Sequence, residues 1–184
     1  LADAKSVSED IGKFLAKSSP MSSWPTAPVA PTIPTLYFLF MDNLPKKIVS
    51  VCNELKVRPT QHLIYVSIAR QRLYLFGGGK LEREYIASTS RNPPSCVEGS
   101  LGTPTGLHKI DGKIGGGEPL GTVFRGRKPC GSVGDQPPEE RAKNLITTRI
   151  MRLRGLEEGK NSGGNLDTYA RFVYIHGTNR EENL

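Results

Sequence analysis

The residues best placed to do chemistry lie near the end of the chain, in Phe172-Val173-Tyr174-Ile175-His176-Gly177-Thr178-Asn179, which reads as a strand running into a glycine turn. On a period of two, Phe172, Tyr174 and His176 share one face of a strand while Val173 and Ile175 take the other. That pattern sets an imidazole at the rim of a sheet, beneath an aromatic wall, with the backbone carbonyl of Gly177 beside it. A histidine in this position is either a general base working near neutral pH or the structural partner of a loop carbonyl, and spacing alone leaves both open. Other candidates are weaker. Gly77-Gly78-Gly79 and Gly115-Gly116-Gly117 lack the Lys-Ser/Thr and the following helix of a phosphate loop, so they read as turns. His62 and His108 have no second ligand at metal spacing, and no metal site is expected. Cys52, Cys96 and Cys130 form no Cys-x-x-Cys pair, which gives neither a four-thiolate zinc site nor a disulfide framework. Arg125-Gly126-Arg127-Lys128 and the set Arg149, Arg152 and Arg154 are basic clusters without the interleaved aromatic residues of a base-stacking platform. They read as solvated faces or as a docking patch for an acidic polymer, and no nucleic-acid partner is expected.

The elements that must position these residues are mostly strands. Gly and Pro number 20 and 14 in 184 residues, a composition of many turns between short strands that argues against an all-helical fold. Residues 1–40 are Ser-rich with five prolines between Pro20 and Pro34 and read as a disordered leader. Residues 41–60 read as a short amphipathic helix: Leu44, Ile48, Cys52 and Leu55 recur at helical spacing, Asp42 or Asn43 can cap it, Pro45 fits its first turn and Pro59 stops it. Cys52 then sits on the apolar face as a small buried hydrophobe. Residues 61–184 read as the folded domain. Leu63–Ile68, Arg72–Phe76 and Leu81–Ala87 form a meander; Gly106–Ile110 and Gly121–Arg125 are short strands inside a Gly/Pro-rich stretch; Asn144–Leu153 and Arg171–Ile175 complete the set. The fold class predicted is mainly β, a sandwich of antiparallel or mixed sheets with long loops and one short N-terminal helix. The net charge of +7 suits an anionic partner without selecting one. The densest apolar run, Leu36–Met41, is far shorter than the roughly 18 residues of a membrane span, so no transmembrane segment is expected.

The segment Tyr174-Ile175-His176-Gly177-Thr178-Asn179 resembles the first half of the signature of the L,D-transpeptidase (YkuD-type) catalytic domain, in which a His-Gly or His-Ser pair precedes, by roughly fifteen residues, a Ser/Thr-His-Gly-Cys run carrying the nucleophile. Further segments are similar in the same order: Ile64–Phe76 to the family's opening hairpin, Ser88-Thr89-Ser90 to the next strand end, and Gly102-Thr103-Pro104-Thr105-Gly106 to its Thr-Pro-x-Gly turn. The resemblance implies cysteine-based acyl transfer on peptidoglycan stem peptides, with release of D-alanine, no cofactor, inhibition of the full-length form by β-lactams such as carbapenems, and a location in the cell envelope. It implies that His176 deprotonates the thiol, that the Gly177 carbonyl holds the imidazole in the useful tautomer, and that Tyr174 lines the donor cleft. The sequence given ends at Leu184, before any Ser-His-Gly-Cys run, so a chain confined to these residues is expected to be inactive. Cys96 and Cys130 lack the family's flanking residues and are not expected to replace the nucleophile. The alternative reading is a non-catalytic module that binds the cell wall.

Overall fold

The computed structural model describes residues 35–181, and their side chains from residue 43 onward. The expectation of a disordered leader falls largely on residues 1–34, outside the described residues. The fold is mainly β, as predicted, and every strand pair is antiparallel. Among the described residues, no helix is long and apolar enough to cross a membrane. The chain divides into two compact units near Ser88.

In the first unit, helix α1 (Thr35–Glu54) accompanies a three-stranded meander of β1 (His62–Ser67), β2 (Arg72–Gly77) and β3 (Lys80–Ile86). The central strand β2 buries Leu73, Tyr74, Leu75 and Phe76 in succession, so both of its faces are covered. Leu44 of α1 joins Tyr74 and Phe76 in a core against which Leu63 and Tyr65 pack. Tyr65 stands directly opposite Tyr74, and their rings stack at 6.1 Å. Glycine is required at the β2–β3 turn: Gly78 and Gly79 have φ of 55° and 78°, the paired positive values of a two-residue hairpin that matches strand twist. Cys52 is buried as expected, and burial pushes its thiol pKa up. The helix differs from prediction in its start. It begins at Thr35, so Pro45 lies in its interior and Asp42 and Asn43 are helical residues rather than caps. Tertiary burial of Leu44 offsets the backbone hydrogen bond that proline cannot donate.

The second unit is a five-stranded sheet built on β7 (Ile146–Gly155). β4 (His108–Ile114) and β5 (Thr122–Arg125) pair with β7, β6 (Lys128–Ser132) pairs with β5, and β8 (Tyr174–Thr178) also pairs with β7. Val123, Phe124, Leu145, Ile150 and Met151 are buried apolar residues of this unit. Two elements were not legible in the sequence. β6 contains Pro129 and Gly131 and is exposed throughout, so its pairing with β5 rather than its own composition makes it a strand. Helix α2 (Pro138–Arg141) is one turn long, too short for periodicity to reveal. The last strand is shifted from Arg171–Ile175 to Tyr174–Thr178, and Phe172 precedes it in a turn with φ of 57°. Phe172 therefore does not share a strand face with Tyr174 and His176.

Candidate active site

β8 carries His176 and Tyr174 on one face, opposite Ile150 and Arg152 of β7. Between Thr147, which pairs with Gly177, and Ile150 the register slips, and β7 bulges at Thr148 and Arg149. Thr148 has φ of 69°, a left-handed conformation that is unfavourable for a β-branched residue by about 1–3 kcal/mol. Its hydroxyl accepts the Gly121 amide at 3.2 Å, tying the bulge to the start of β5. The bulge brings β7 close under Gly177: a Cβ there would lie 2.9 Å from the Thr147 carbonyl oxygen and 3.1 Å from the Thr148 Cβ. Glycine is needed at 177 for this close approach, not for a turn, because β8 continues through it to Thr178.

His176 Nδ1 lies 2.8 Å from the Gly177 carbonyl oxygen. A carbonyl can only accept, so Nδ1 carries the proton and Nε2 presents its lone pair. Nε2 has no partner among the described residues. His176 is half-buried and closely surrounded; desolvation lowers its pKa, and the Gly177 bond opposes this in part. A neutral, oriented imidazole with a free Nε2 is equipped to take a proton. The end of β8 is fixed by Asn179, whose Oδ1 accepts the Leu145 amide at 2.8 Å and whose Nδ2 donates to the carbonyls of Arg141 and Lys143 at 3.0 and 3.1 Å. Thr178 adds a bond to Asn144 at 2.7 Å. These anchors join positions more than thirty residues apart, which sequence reading could not supply.

Tyr174 accepts a hydrogen bond from Arg127 at 3.3 Å. Arg127 occupies the β5–β6 turn with Gly126, their φ values of 69° and 54° closing a two-residue hairpin. The basic clusters do meet aromatic residues, contrary to their separation in sequence. The Arg152 guanidinium lies 3.4 Å from the Tyr169 ring centre and 5.1 Å from that of Phe172, Arg127 lies 4.8 Å from Phe172, and Arg154 lies 3.8 Å from Tyr169.

The segments preceding the site are held by polar pins. Ser90 N–H donates to Thr103 Oγ1 at 3.0 Å, joining two of the segments that resemble the family's. Arg171 donates to the carbonyls of Ser95 and Gly102 at 3.0 and 2.9 Å. Asn161, fully buried, donates to the carbonyls of Thr105 and Leu107 and accepts the Glu157 amide at 2.9 Å. His108 is held between the Gly106 carbonyl and the Thr168 hydroxyl, each at 3.0 Å, and burial lowers its pKa. His62 lies 3.6 Å from Glu82 in the first unit. No group of three His, Cys, Asp or Glu side chains suited to a metal occurs among the described residues. Cys96 and Cys130 donate to the carbonyls of Thr105 and Val123, at 3.7 and 3.3 Å, and neither thiol bonds to His176.

His176 thus stands on an antiparallel sheet beside an orienting carbonyl with its second ring nitrogen free, an arrangement able to accept a proton. The L,D-transpeptidase catalytic domain (YkuD) family matches residues 61–183, and the chain belongs to that family. No curated protein and no solved structure matches it.

Proposed function

We propose that the chain is the base-bearing part of a peptidoglycan L,D-transpeptidase whose nucleophile is the cysteine of a Ser-His-Gly-Cys segment, rather than Cys96 or Cys130. The observation that carries this reading is His176, neutral, held at Nδ1 by the Gly177 carbonyl and free at Nε2, in a domain of this family. Nε2 takes the thiol proton as sulfur attacks the carbonyl between the diamino acid and the terminal D-alanine of a stem tetrapeptide. The tetrahedral adduct collapses to a thioester, and the imidazolium returns its proton to the departing D-alanine nitrogen. The amine of a second stem, or water, then attacks the thioester; Nε2 takes its proton and the sulfur leaves to be reprotonated. Tyr174 lines the donor cleft, and the reaction takes place in the cell envelope. Carbapenems would acylate the same sulfur.

D-alanine release from a stem tetrapeptide, measured with protein that includes a Ser-His-Gly-Cys segment, tests this. Release that falls by about 10²–10⁴ in His176→Ala, with a carbapenem adduct on that cysteine, is the expected result. Acylation at Cys96 or Cys130 instead would overturn the assignment of the nucleophile. Salt-sensitive binding to purified sacculi without D-alanine release would favour the wall-binding module, the reading that the net positive charge supports.

A further inference from the structure

Arg127 bonds Tyr174 and Arg152 stands opposite it on β7, and the fold treats these two arginines differently from Arg125 and Arg154 of the same basic clusters. Arg125 is paired with Glu140 at 3.1 Å and Arg154 with Asp111 at 2.9 Å. Arg127 and Arg152 have no carboxylate partner among the described residues. Arg152 donates one Nη2 bond to the Tyr169 carbonyl at 3.0 Å, while its Nε is buried without a partner. Leaving a buried charged donor unpaired is costly, and aromatic faces compensate a cation only in part. Phe172, whose ring lies within reach of both guanidinium groups, is 52% exposed and has a left-handed φ of 57°; Arg127 also has a left-handed φ of 69°. Two strained, non-glycine residues thus hold an exposed ring against two uncompensated cations, and such strain persists where the surroundings over-determine it.

We propose that Arg127 and Arg152, backed by Tyr169, Phe172 and Tyr174, form a carboxylate-recognition subsite for the donor stem, an inference that rests on the stem-peptide reading above. Planar guanidinium groups on aromatic supports suit a carboxylate, which they bind through paired N–H donors. The position along β8 selects which carboxylate. Tyr174 lies two residues from His176 on the same face, roughly 7 Å along the strand. The carboxylate of the departing D-alanine is one residue from the scissile carbon, about 3.5 Å away, and is too near. The subsite therefore takes a carboxylate farther out on the acyl part of the donor, either that of the γ-linked glutamate or that at the far end of the diamino acid.

Calorimetric titration of the whole chain with three synthetic tetrapeptides tests the proposal without requiring a thiol: the free acid, the peptide amidated at glutamate, and the peptide amidated at the diamino acid. The expected result is that one amidation weakens binding to the unaltered chain by about 10–100-fold, which identifies the carboxylate. Arg127→Ala, an exposed turn position, and Arg152→Gln should bind the free and amidated peptides alike. If the chain binds all three peptides equally, or if both variants keep full discrimination, the carboxylate subsite is overturned while the stem-peptide reading stands. If no peptide binds, or a short single-stranded oligonucleotide binds in their place, both are overturned.

Discussion

His176 is equipped to act as a base by what its two nitrogens meet. Nδ1 is committed to the Gly177 carbonyl, and desolvation keeps the ring neutral below the ordinary imidazole range near 6.5. Activity that depends on this neutral form should persist on the acid side to a pH below that of a free imidazole, and the acid limb of a kcat/KM profile in the cysteine-bearing protein measures it. A limb at or above 6.5 would show that the ring is not desolvated in this way. Stability depends on pH through the same kind of group. His108 and His176 both have lowered pKa values in the folded state, so the unfolded chain binds more protons once pH falls below about 6.5. Their contribution to stability is complete above that pH and is lost as pH falls toward the folded values. Urea midpoints should decline from pH 7 to pH 5, and His108→Gln should shrink that decline; an unchanged decline would remove His108 from the account. Tyr174 shares a face with His176 as the period of two placed it, because a strand's alternation is fixed locally, whereas Gly177, read as a turn, lies within β8. Phe172 does not share that face, because a turn held by the Tyr169 carbonyl takes it off the strand.

At the scale of elements, β8 is precise because β7 is irregular. The bulge at Thr148 and Arg149 lets β7 pass close beneath Gly177, and Asn179 locks the strand end to residues 141–145. Gly177→Ala should therefore cost about 1–3 kcal/mol in urea unfolding, since the new methyl must displace the Thr147 carbonyl or β8 itself. The His176 ring NMR signals should shift in the same variant; signals unchanged at full stability would mean that the strands separate freely. Asn161→Ala should cost about 1–3 kcal/mol by the same measurement, because the fully buried Asn161 side chain joins the carbonyls of Thr105 and Leu107 to the amide of Glu157 and its loss takes that partner from the amide. Of these devices the sequence showed only the glycine. A bulge has no periodic signature, and an asparagine that pins a loop thirty residues away looks the same in sequence as one that caps a turn.

At the scale of the molecule, two antiparallel sheets are built from strands that mostly announce themselves, and a net charge of +7 covers them. Association with anionic sacculi should weaken steeply between about 0.05 and 0.5 M salt, as a co-sedimentation assay would show; salt-independent binding would mean that the charge does not mediate it. The sequence by itself determined the fold class, the meander, the glycine hairpin at Gly78-Gly79, the burial of Cys52, and the placing of Tyr174 and His176 on one strand face. All of these rest on periods of two or 3.6 residues, or on a turn's demand for positive φ, and so are written within a few residues of one another. Only the tertiary structure decided that α1 runs through Pro45, that β6 is a strand, and that Arg127 reaches Tyr174 across 47 residues while Arg152 stacks on Tyr169. Those outcomes depend on which strands pair with β7 and where it bulges. Long-range pairing is selected by the burial and hydrogen bonding of the whole sheet, which no local pattern encodes.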